Sequence, residues 1–163
     1  MPSGIGNNMT VLGDKMKILA KLPLKHQPGE RWTYGLNTDM LGYLVEVLSG
    51  MPFDEFLRKR IFDPLGMKDT YFYLPKEKHN RLVPLYQVGD GKLEKLSGKA
   101  YDRVDPDYPK TAGKYFSGGA GLSSTVEDYA KFLQLFLNGG HYNGVRLLGR
   151  KTIEPVLDRK SVV

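Results

Sequence analysis

Seven serines are the first residues to consider as nucleophiles, because the chain contains no cysteine. A serine hydroxyl needs a positioned base, and in the Ser-x-x-Lys pattern a lysine one helical turn later supplies it. None of the seven serines has a lysine at that position, and no Gly-x-Ser-x-Gly turn is present. Ser117, which opens a glycine-rich segment, follows Tyr115-Phe116 rather than a glycine. The sequence therefore contains no self-sufficient pair of nucleophile and base.

The three histidines do not form a metal-binding pattern. His26, His79 and His141 lie far apart, and none has a ligand-like partner three or four residues later. We expect all three to be exposed polar residues, and we expect neither a metal nor a cofactor.

Two loops resemble ion-binding segments only in part. Asp102, Asp105 and Asp107 alternate as in a calcium loop, but the glycine and the terminal glutamate of such a loop are missing. Gly118-Gly119-Ala120-Gly121 precedes a helix, where anions often bind, yet no Gly-Lys-Thr/Ser follows. This segment favours a tight turn with a close backbone approach.

Apolar residues at helical spacing predict helices that are joined by irregular connections. The expected helices cover about 9–22, 38–49, 52–64, 125–137 and 151–157, with Gly50 as a C-terminal cap and Ser124 and Glu127 as a capping box. The residues expected to be buried on the second and fourth helices are Met40, Leu41, Leu44, Val45 and Leu48, and Val126, Tyr129, Phe132, Leu133, Phe136 and Leu137.

The middle of the chain is β-prone. Residues 70–74 read as a short strand, and residues 82–88 and 92–96 read as a hairpin around Asp90-Gly91. Residues 97–116 have no period and are expected to form a long surface loop. The predicted fold class is α+β, mostly helical, with a small β-hairpin.

Composition limits the class of protein. The 163 residues are 40% hydrophobic, which suits one globular domain and excludes disordered and fibrous classes. No apolar run is long enough for a membrane span. The net charge of +6 comes from lysines and arginines that are spread along the chain beside acidic residues, so we expect a solvated surface and no nucleic-acid partner.

Two ordered blocks carry a specific resemblance. Residues 22–70 contain Pro28-Gly29, Trp32-x-Tyr34, Leu41-Gly42, Ser49-Gly50 and Phe62-x-Pro64-Leu65-Gly66-Met67, and residues 117–140 contain a glycine-rich turn with the helix after it. These blocks closely resemble the serine β-lactamase-like superfamily, which includes class C β-lactamases, related esterases and DD-peptidases. The resemblance spans nearly the whole chain and implies the helical region and a hairpin of the β-lactamase/transpeptidase-like fold.

The resemblance implies roles for a few residues. Tyr34 matches the tyrosine that shuttles protons beside the serine and lysine of Ser-x-x-Lys in this superfamily. Asn37, Gly118 and Gly119 are the implied substrate-binding residues, and the implied substrate is a small ester, amide or β-lactam. Trp32 is expected to be a core anchor.

The sequence departs from the family pattern after Tyr34 and at residues 110–113. Tyr34 is followed by Gly35-Leu36, which leans toward the Tyr-Ser-Leu of the esterase-like branch, and Asn37 lies three residues after the tyrosine rather than two. Residues 110–113 read Lys-Thr-Ala-Gly rather than Lys-Thr-Gly and precede the glycine-rich turn.

Because both Ser-x-x-Lys and the Lys-Thr-Gly-like strand are missing, we interpret residues 1–163 as a single partial domain. We expect it to be inactive alone and to self-associate through exposed apolar surface. The alternative is a non-catalytic binding or interaction module on the same helical scaffold. The compartment stays open: periplasmic or secreted if a signal peptide lies upstream in the parent protein, and otherwise cytoplasmic.

Overall fold

The computed structural model describes residues 11–97 and 105–158. The expected start of the first helix at residue 9, Asp102 and most of the first half of the 97–116 loop lie outside these ranges. The helices are α1 (Leu12–Leu19), α2 (Asn37–Ser49), α3 (Phe53–Leu57), α4 (Asp63–Leu65), α5 (Val126–Leu137) and α6 (Arg150–Leu157). The strands are β1 (Tyr86–Gly89), β2 (Lys92–Lys95), β3 (His141–Tyr142) and β4 (Val145–Arg146), and 3₁₀ turns cover Lys76–Arg81 and Tyr108–Lys110. The predicted α+β, mostly helical class is confirmed.

The first of two compact units contains the described residues of Met1–Phe53 and Phe72–Leu122. Its core is formed by Leu12 and Met16 of α1 and by Tyr115, with Tyr43 of α2 packed against them. Leu12 and Met16 are only 1% and 2% exposed, so their side of α1 is the buried one.

The second unit contains the described residues of Asp54–Tyr71 and Ser123–Val163. A π-helical segment, Arg58–Phe62, connects α3 to α4 without a break, and Gly66 caps this helix with a φ of +67°. The core packs Phe62, Leu65 and Met67 against Leu135 of α5. The core of this unit therefore comes from the end of the helix that α3 and α4 form, from Met67 just after it, and from α5.

Two hairpins form where Asx-Gly pairs occur in the sequence. Strand β1 pairs with β2 in antiparallel register, with Tyr86 opposite Lys95, and β3 pairs with β4. Asp90 and Gly91 have φ values of +46° and +76°, as a two-residue type I′ turn requires. The first hairpin was predicted, although it is shorter than residues 82–96. The strand expected over residues 70–74 is reduced to one isolated bridge between Tyr71 and Ser123.

The apolar stripe predicted on α2 is wrong. Met40, Leu41, Leu44 and Leu48 are exposed, whereas Asp39 and Gly42 are buried. Gly42 lies on the buried side of α2, where the neighbouring residues approach closely. A Cβ at this position would lie 3.3 Å from Leu12 and 3.4 Å from the Gly118 backbone. The packing of α2 is therefore set by its smallest residue rather than by its largest apolar ones.

The cap and the stripe of α5 also differ from expectation. Thr125 is the N-cap and accepts a hydrogen bond from the amide of Asp128, so the capping pair lies one residue later than Ser124 and Glu127. The exposed members of the predicted stripe are Val126, Tyr129, Leu133 and Leu137, while Leu135 is buried.

Asp128 connects α5 to the segment after Gly66. Its carboxylate accepts hydrogen bonds from the Asp69 amide at 2.7 Å, the Thr70 hydroxyl at 3.0 Å and the Lys131 ammonium at 2.9 Å. Burial would raise the pKa of the Asp128 carboxyl, but these hydrogen bonds outweigh burial and hold that pKa below its ordinary value.

Replacing Asp128 with alanine should lower the free energy of unfolding by about 2–3 kcal/mol at pH 7, because three donors lose their acceptor. A carboxyl whose pKa is lower in the folded state stabilises the protein above its unfolded pKa and loses that effect as the pH falls through the folded value. Urea unfolding should therefore show the difference from the parent chain shrinking below about pH 4. Glu127→Ala, an exposed change on the same helix, is the control and should stay within about 0.5 kcal/mol. A difference that persists undiminished at pH 2 would contradict this role.

Among the helices of the described residues, none has the length and apolar character needed to cross a membrane.

Candidate active site

The loop between α1 and α2 presents Tyr34. Gln27-Pro28-Gly29-Glu30 forms a turn in which Gly29 has a φ of +82° and the Glu30 amide donates to the Gln27 carbonyl at 3.2 Å. Proline followed by a glycine at positive φ is typical of a type II turn. His26 and Thr33 are hydrogen-bonded across the loop at 2.7 Å. These contacts fix the chain on both sides of the turn, so the approach to Tyr34 is well defined.

Tyr34 itself is 82% exposed. Its ring lies 6.3 Å from the ring of Trp32, which is 83% exposed. The expectation that Trp32 anchors the core is wrong. With 6.3 Å between their centres, the two rings lie beside each other on the loop.

A cavity of about 560 Å³ opens beside these two rings, and we call it the tyrosine groove. Tyr34 and Asn37 both line it, together with residues of the loop and Met40 of α2. Its volume lies within the range of small-molecule sites. Two of the four residues that the sequence proposes for the site therefore share one cavity.

Gly118 and Gly119 lie against the first turn of α2. A Cβ on Gly118 would lie 2.1 Å from the Thr38 carbonyl oxygen, and a Cβ on Gly119 would lie 2.6 Å from the Thr38 hydroxyl. The close backbone approach favoured for this glycine-rich segment is therefore present. The turn sits next to the residue that follows Asn37, although Gly118 and Gly119 do not line the tyrosine groove.

A buried carboxylate holds the glycine-rich turn on α2. Asp39 accepts hydrogen bonds from the Ser117 hydroxyl at 2.6 Å and from the Tyr115 hydroxyl at 3.1 Å. The Ser117 oxygen in turn accepts from the amides of Gly119 and Ala120. This network, which we call the Asp39 cluster, connects residues 76 and 78 positions apart in the sequence.

The Lys15 ammonium lies 4.3 Å from the centre of the Tyr115 ring and is attracted by Asp39. Burial lowers the pKa of Lys15, and Asp39 opposes that effect. Burial, reinforced by the neighbouring Asp39 charge, raises the pKa of the Tyr115 phenol well above its ordinary value, so Tyr115 stays protonated as a donor. We therefore interpret the Asp39 cluster as a network that stabilises the fold.

The same contacts bear on whether this chain carries its own nucleophile. The hydroxyl of Ser117 is buried, donates to Asp39 and accepts from two amides, so a substrate carbonyl cannot reach it. The Ser124 hydroxyl is paired with Thr70 at 2.8 Å. Neither serine has the free, activated hydroxyl that acyl transfer requires.

The expectation that the three histidines are exposed is wrong. Each is half-buried, and His79 is hydrogen-bonded to the Leu74 carbonyl oxygen at 3.0 Å. Within the described ranges, no group of three or more histidine, aspartate or glutamate side chains is arranged to hold a metal ion.

The Asp39 cluster was not predicted from the sequence. The one available signal was an acidic residue among apolar ones in the first turn of α2, which ordinarily indicates only a favourable helix-dipole position. Tyr115 lies in a loop without periodicity and Ser117 opens the turn after it, so nothing in the pattern paired these hydroxyl donors with Asp39.

Comparison with known proteins places this geometry in a family. A family model described as Beta-lactamase matches residues 3–161. Protein Rv1367c of Mycobacterium tuberculosis is 33% identical over 135 residues, which cover 83% of this chain and 32% of that protein. The chain spans about a third of the length of the curated relatives it matches.

Solved structures agree in fold. EstCE1, described as a hydrolase with promiscuous acyltransferase activity, matches with a TM-score of 0.77 and 22% identity over 94% of this chain and 41% of that one. Simvastatin synthase (LovD) of Aspergillus terreus matches with a TM-score of 0.67 and 26% identity over 91% of this chain and 37% of that one. With a family match over nearly every residue and this shared fold, the chain belongs to the beta-lactamase family of serine hydrolase folds.

Proposed function

We propose that this chain is the tyrosine-bearing part of a serine hydrolase that cleaves an ester, amide or β-lactam through an acyl-serine intermediate. The observation that carries the proposal is the position of Tyr34: an exposed phenol on the wall of the tyrosine groove, directly before α2. The resemblance to esterases and peptidases of the family supports the reaction class, and the Tyr34-Gly35-Leu36 sequence favours esters.

In this proposal Tyr34 moves a proton. The serine oxygen of a Ser-x-x-Lys segment attacks the substrate carbonyl carbon, and the phenol oxygen receives the hydroxyl proton while its own proton passes to the lysine of that segment. Tyr34 then gives a proton to the leaving alcohol or amine as the bond to the carbonyl carbon breaks, and it recovers a proton from the lysine. Water attacks the acyl-serine by the reverse transfer, which releases the acid and restores the serine hydroxyl.

The other site residues act on binding. We assign to Asn37, at the start of α2 and on the groove wall, the donation of a hydrogen bond to a substrate carbonyl. Gly118 and Gly119 keep the glycine-rich turn tight against Thr38, and we assign them a supporting part in substrate binding.

The experiment is labelling with a fluorophosphonate probe followed by intact-mass analysis. The isolated chain should give no adduct, since Ser117 and Ser124 are engaged in hydrogen bonds. A stoichiometric adduct on either serine would overturn the inactivity of this chain. A longer protein that combines this chain with Ser-x-x-Lys should be labelled on that serine and should hydrolyse p-nitrophenyl butyrate. If that protein carries out neither reaction, the chain is a non-catalytic module on the same scaffold.

Self-association is part of the same proposal. Met40, Leu41, Leu44 and Leu48 leave one side of α2 apolar and exposed, and such surface favours contact with a second copy. Sedimentation velocity should show a weight-average mass that rises with concentration.

A further inference from the structure

The lining of the tyrosine groove is unbalanced in charge. Sixteen residues line it, and they include Lys25 and Arg31 but no aspartate or glutamate. No carboxylate of the described residues forms an ion pair with either cation. Glu30, which lies between them in the sequence, does not line the groove, and its carboxylate accepts a hydrogen bond from the Gln27 amide at 3.0 Å.

The rest of the lining is mainly apolar. The side chains of Leu22, Leu24, Leu36 and Met40 surround the groove, and the rings of Trp32 and Tyr34 complete it. Leu24 and Trp32 are 71% and 83% exposed, so a ligand in the groove would remove a large apolar area from water. The neutral polar groups nearby are partly engaged, since His26 is paired with Thr33.

We infer that the tyrosine groove binds organic carboxylates with an apolar body, the carboxylate pairing with Arg31 and Lys25 and the body packing on Trp32 and the leucines. Guanidinium groups bind carboxylates through paired hydrogen bonds, and the absence of acidic groups in the lining leaves both cations available to an anion. The inference rests on the proposed function and narrows it: the preferred substrate would carry a carboxylate as well as the scissile bond beside Tyr34.

Trp32 makes the inference measurable without turnover. It is the single tryptophan of the chain, so intrinsic tryptophan fluorescence reports on the groove alone. Titration of this chain with decanoate should shift the Trp32 emission to shorter wavelength and saturate. Decyltrimethylammonium, which has the same tail and the opposite charge, should bind at least about 10-fold more weakly. Equal affinities would mean that the groove selects only for the tail and would overturn the inference.

Variants assign the binding to the two cations. The double change Arg31→Gln with Lys25→Gln should weaken decanoate binding by about 5-fold or more, in line with two exposed charge pairs. Arg150→Gln with Lys151→Gln removes the same charge from exposed residues outside the groove and should leave the affinity unchanged. An equal loss in both double variants would show an effect of net charge alone and would overturn the inference.

The carboxylate preference and the hydrolase assignment can be contradicted independently of each other. If Arg31 and Lys25 have no effect on binding while substitution of Tyr34 still lowers turnover of the complete hydrolase, the carboxylate preference is wrong and the hydrolase assignment stands. If decanoate binds as expected and the complete protein has no serine that reacts, the groove is a binding site on a non-catalytic module.

Discussion

Replacing Tyr34 with phenylalanine, in a hydrolase that carries this chain together with Ser-x-x-Lys, is expected to lower kcat for ester cleavage by a factor of about 100 or more. The change removes one oxygen atom and leaves the ring. The phenol is the group that accepts the serine proton and returns it to the leaving alcohol, so both halves of acyl transfer lose their proton carrier. KM should change little, because the ring that lines the groove is retained.

Because Tyr34 is exposed, the effect of this substitution on kcat can be separated from an effect on stability. Its side chain is 82% exposed, so removal of the hydroxyl should not change the free energy of unfolding measurably. Tyr86→Phe, at an exposed tyrosine of β1, is the matched control and should leave kcat unchanged. An unaltered kcat in Tyr34→Phe would remove the phenol from the mechanism, and a parallel fall in both variants would point to a general disturbance.

Local features of the fold were predictable because local chemistry determines them. Gly50 and Gly66 occupy left-handed positions at helix ends, and Asp90-Gly91 forms the turn of a hairpin. Each of these positions demands a residue that tolerates positive φ, so the sequence signal and the structural requirement coincide. The helices end close to the predicted residues for the same reason.

The burial of α2 could not be predicted from periodicity. Periodicity identifies the most apolar face, whereas packing in this chain is determined by how closely another backbone can approach. Gly42 permits that approach, and its neighbours include Leu12 and the Gly118 backbone, which lie far from it in the sequence. Trp32 was misassigned for a related reason, since a large aromatic residue is usually buried unless a groove or a partner uses it.

The sequence proposes members of a candidate site but does not reveal the residues that support them. Tyr34, Asn37, Gly118 and Gly119 follow from resemblance to a family, whereas the Asp39 cluster is visible only in three dimensions. A buried carboxylate that accepts from two hydroxyls 76 and 78 residues away leaves no pattern in one sequence. The structural consequence is large, because this cluster sets the distance between the glycine-rich turn and the start of α2.

Substitution of Gly118 by alanine tests that distance, and it should destabilise the chain by at least about 3 kcal/mol, the upper part of the range for overpacking. The new Cβ would lie 2.1 Å from the Thr38 carbonyl oxygen, 2.9 Å from the Thr38 carbonyl carbon and 3.3 Å from the Asp39 Cα. All three are backbone atoms of α2, so no side-chain rotation can relieve the clash. The turn must move away from the helix, which would also stretch the hydrogen bonds between Ser117 and Asp39.

Two other glycines complete the series. At Gly119 the nearest atom is the Thr38 hydroxyl oxygen at 2.6 Å, and rotation of that side chain can relieve part of the clash, so Gly119→Ala should cost less than Gly118→Ala. A Cβ on Gly35 would meet no atom within 4 Å, and Gly35→Ala should change the free energy of unfolding by less than about 0.5 kcal/mol. Urea unfolding of the three variants should therefore rank Gly118→Ala as the least stable and Gly35→Ala as the most stable. If Gly118→Ala unfolds at the same urea concentration as Gly35→Ala, the turn does not rest on α2 in solution, and the geometry assigned to the glycine-rich side of the site is wrong.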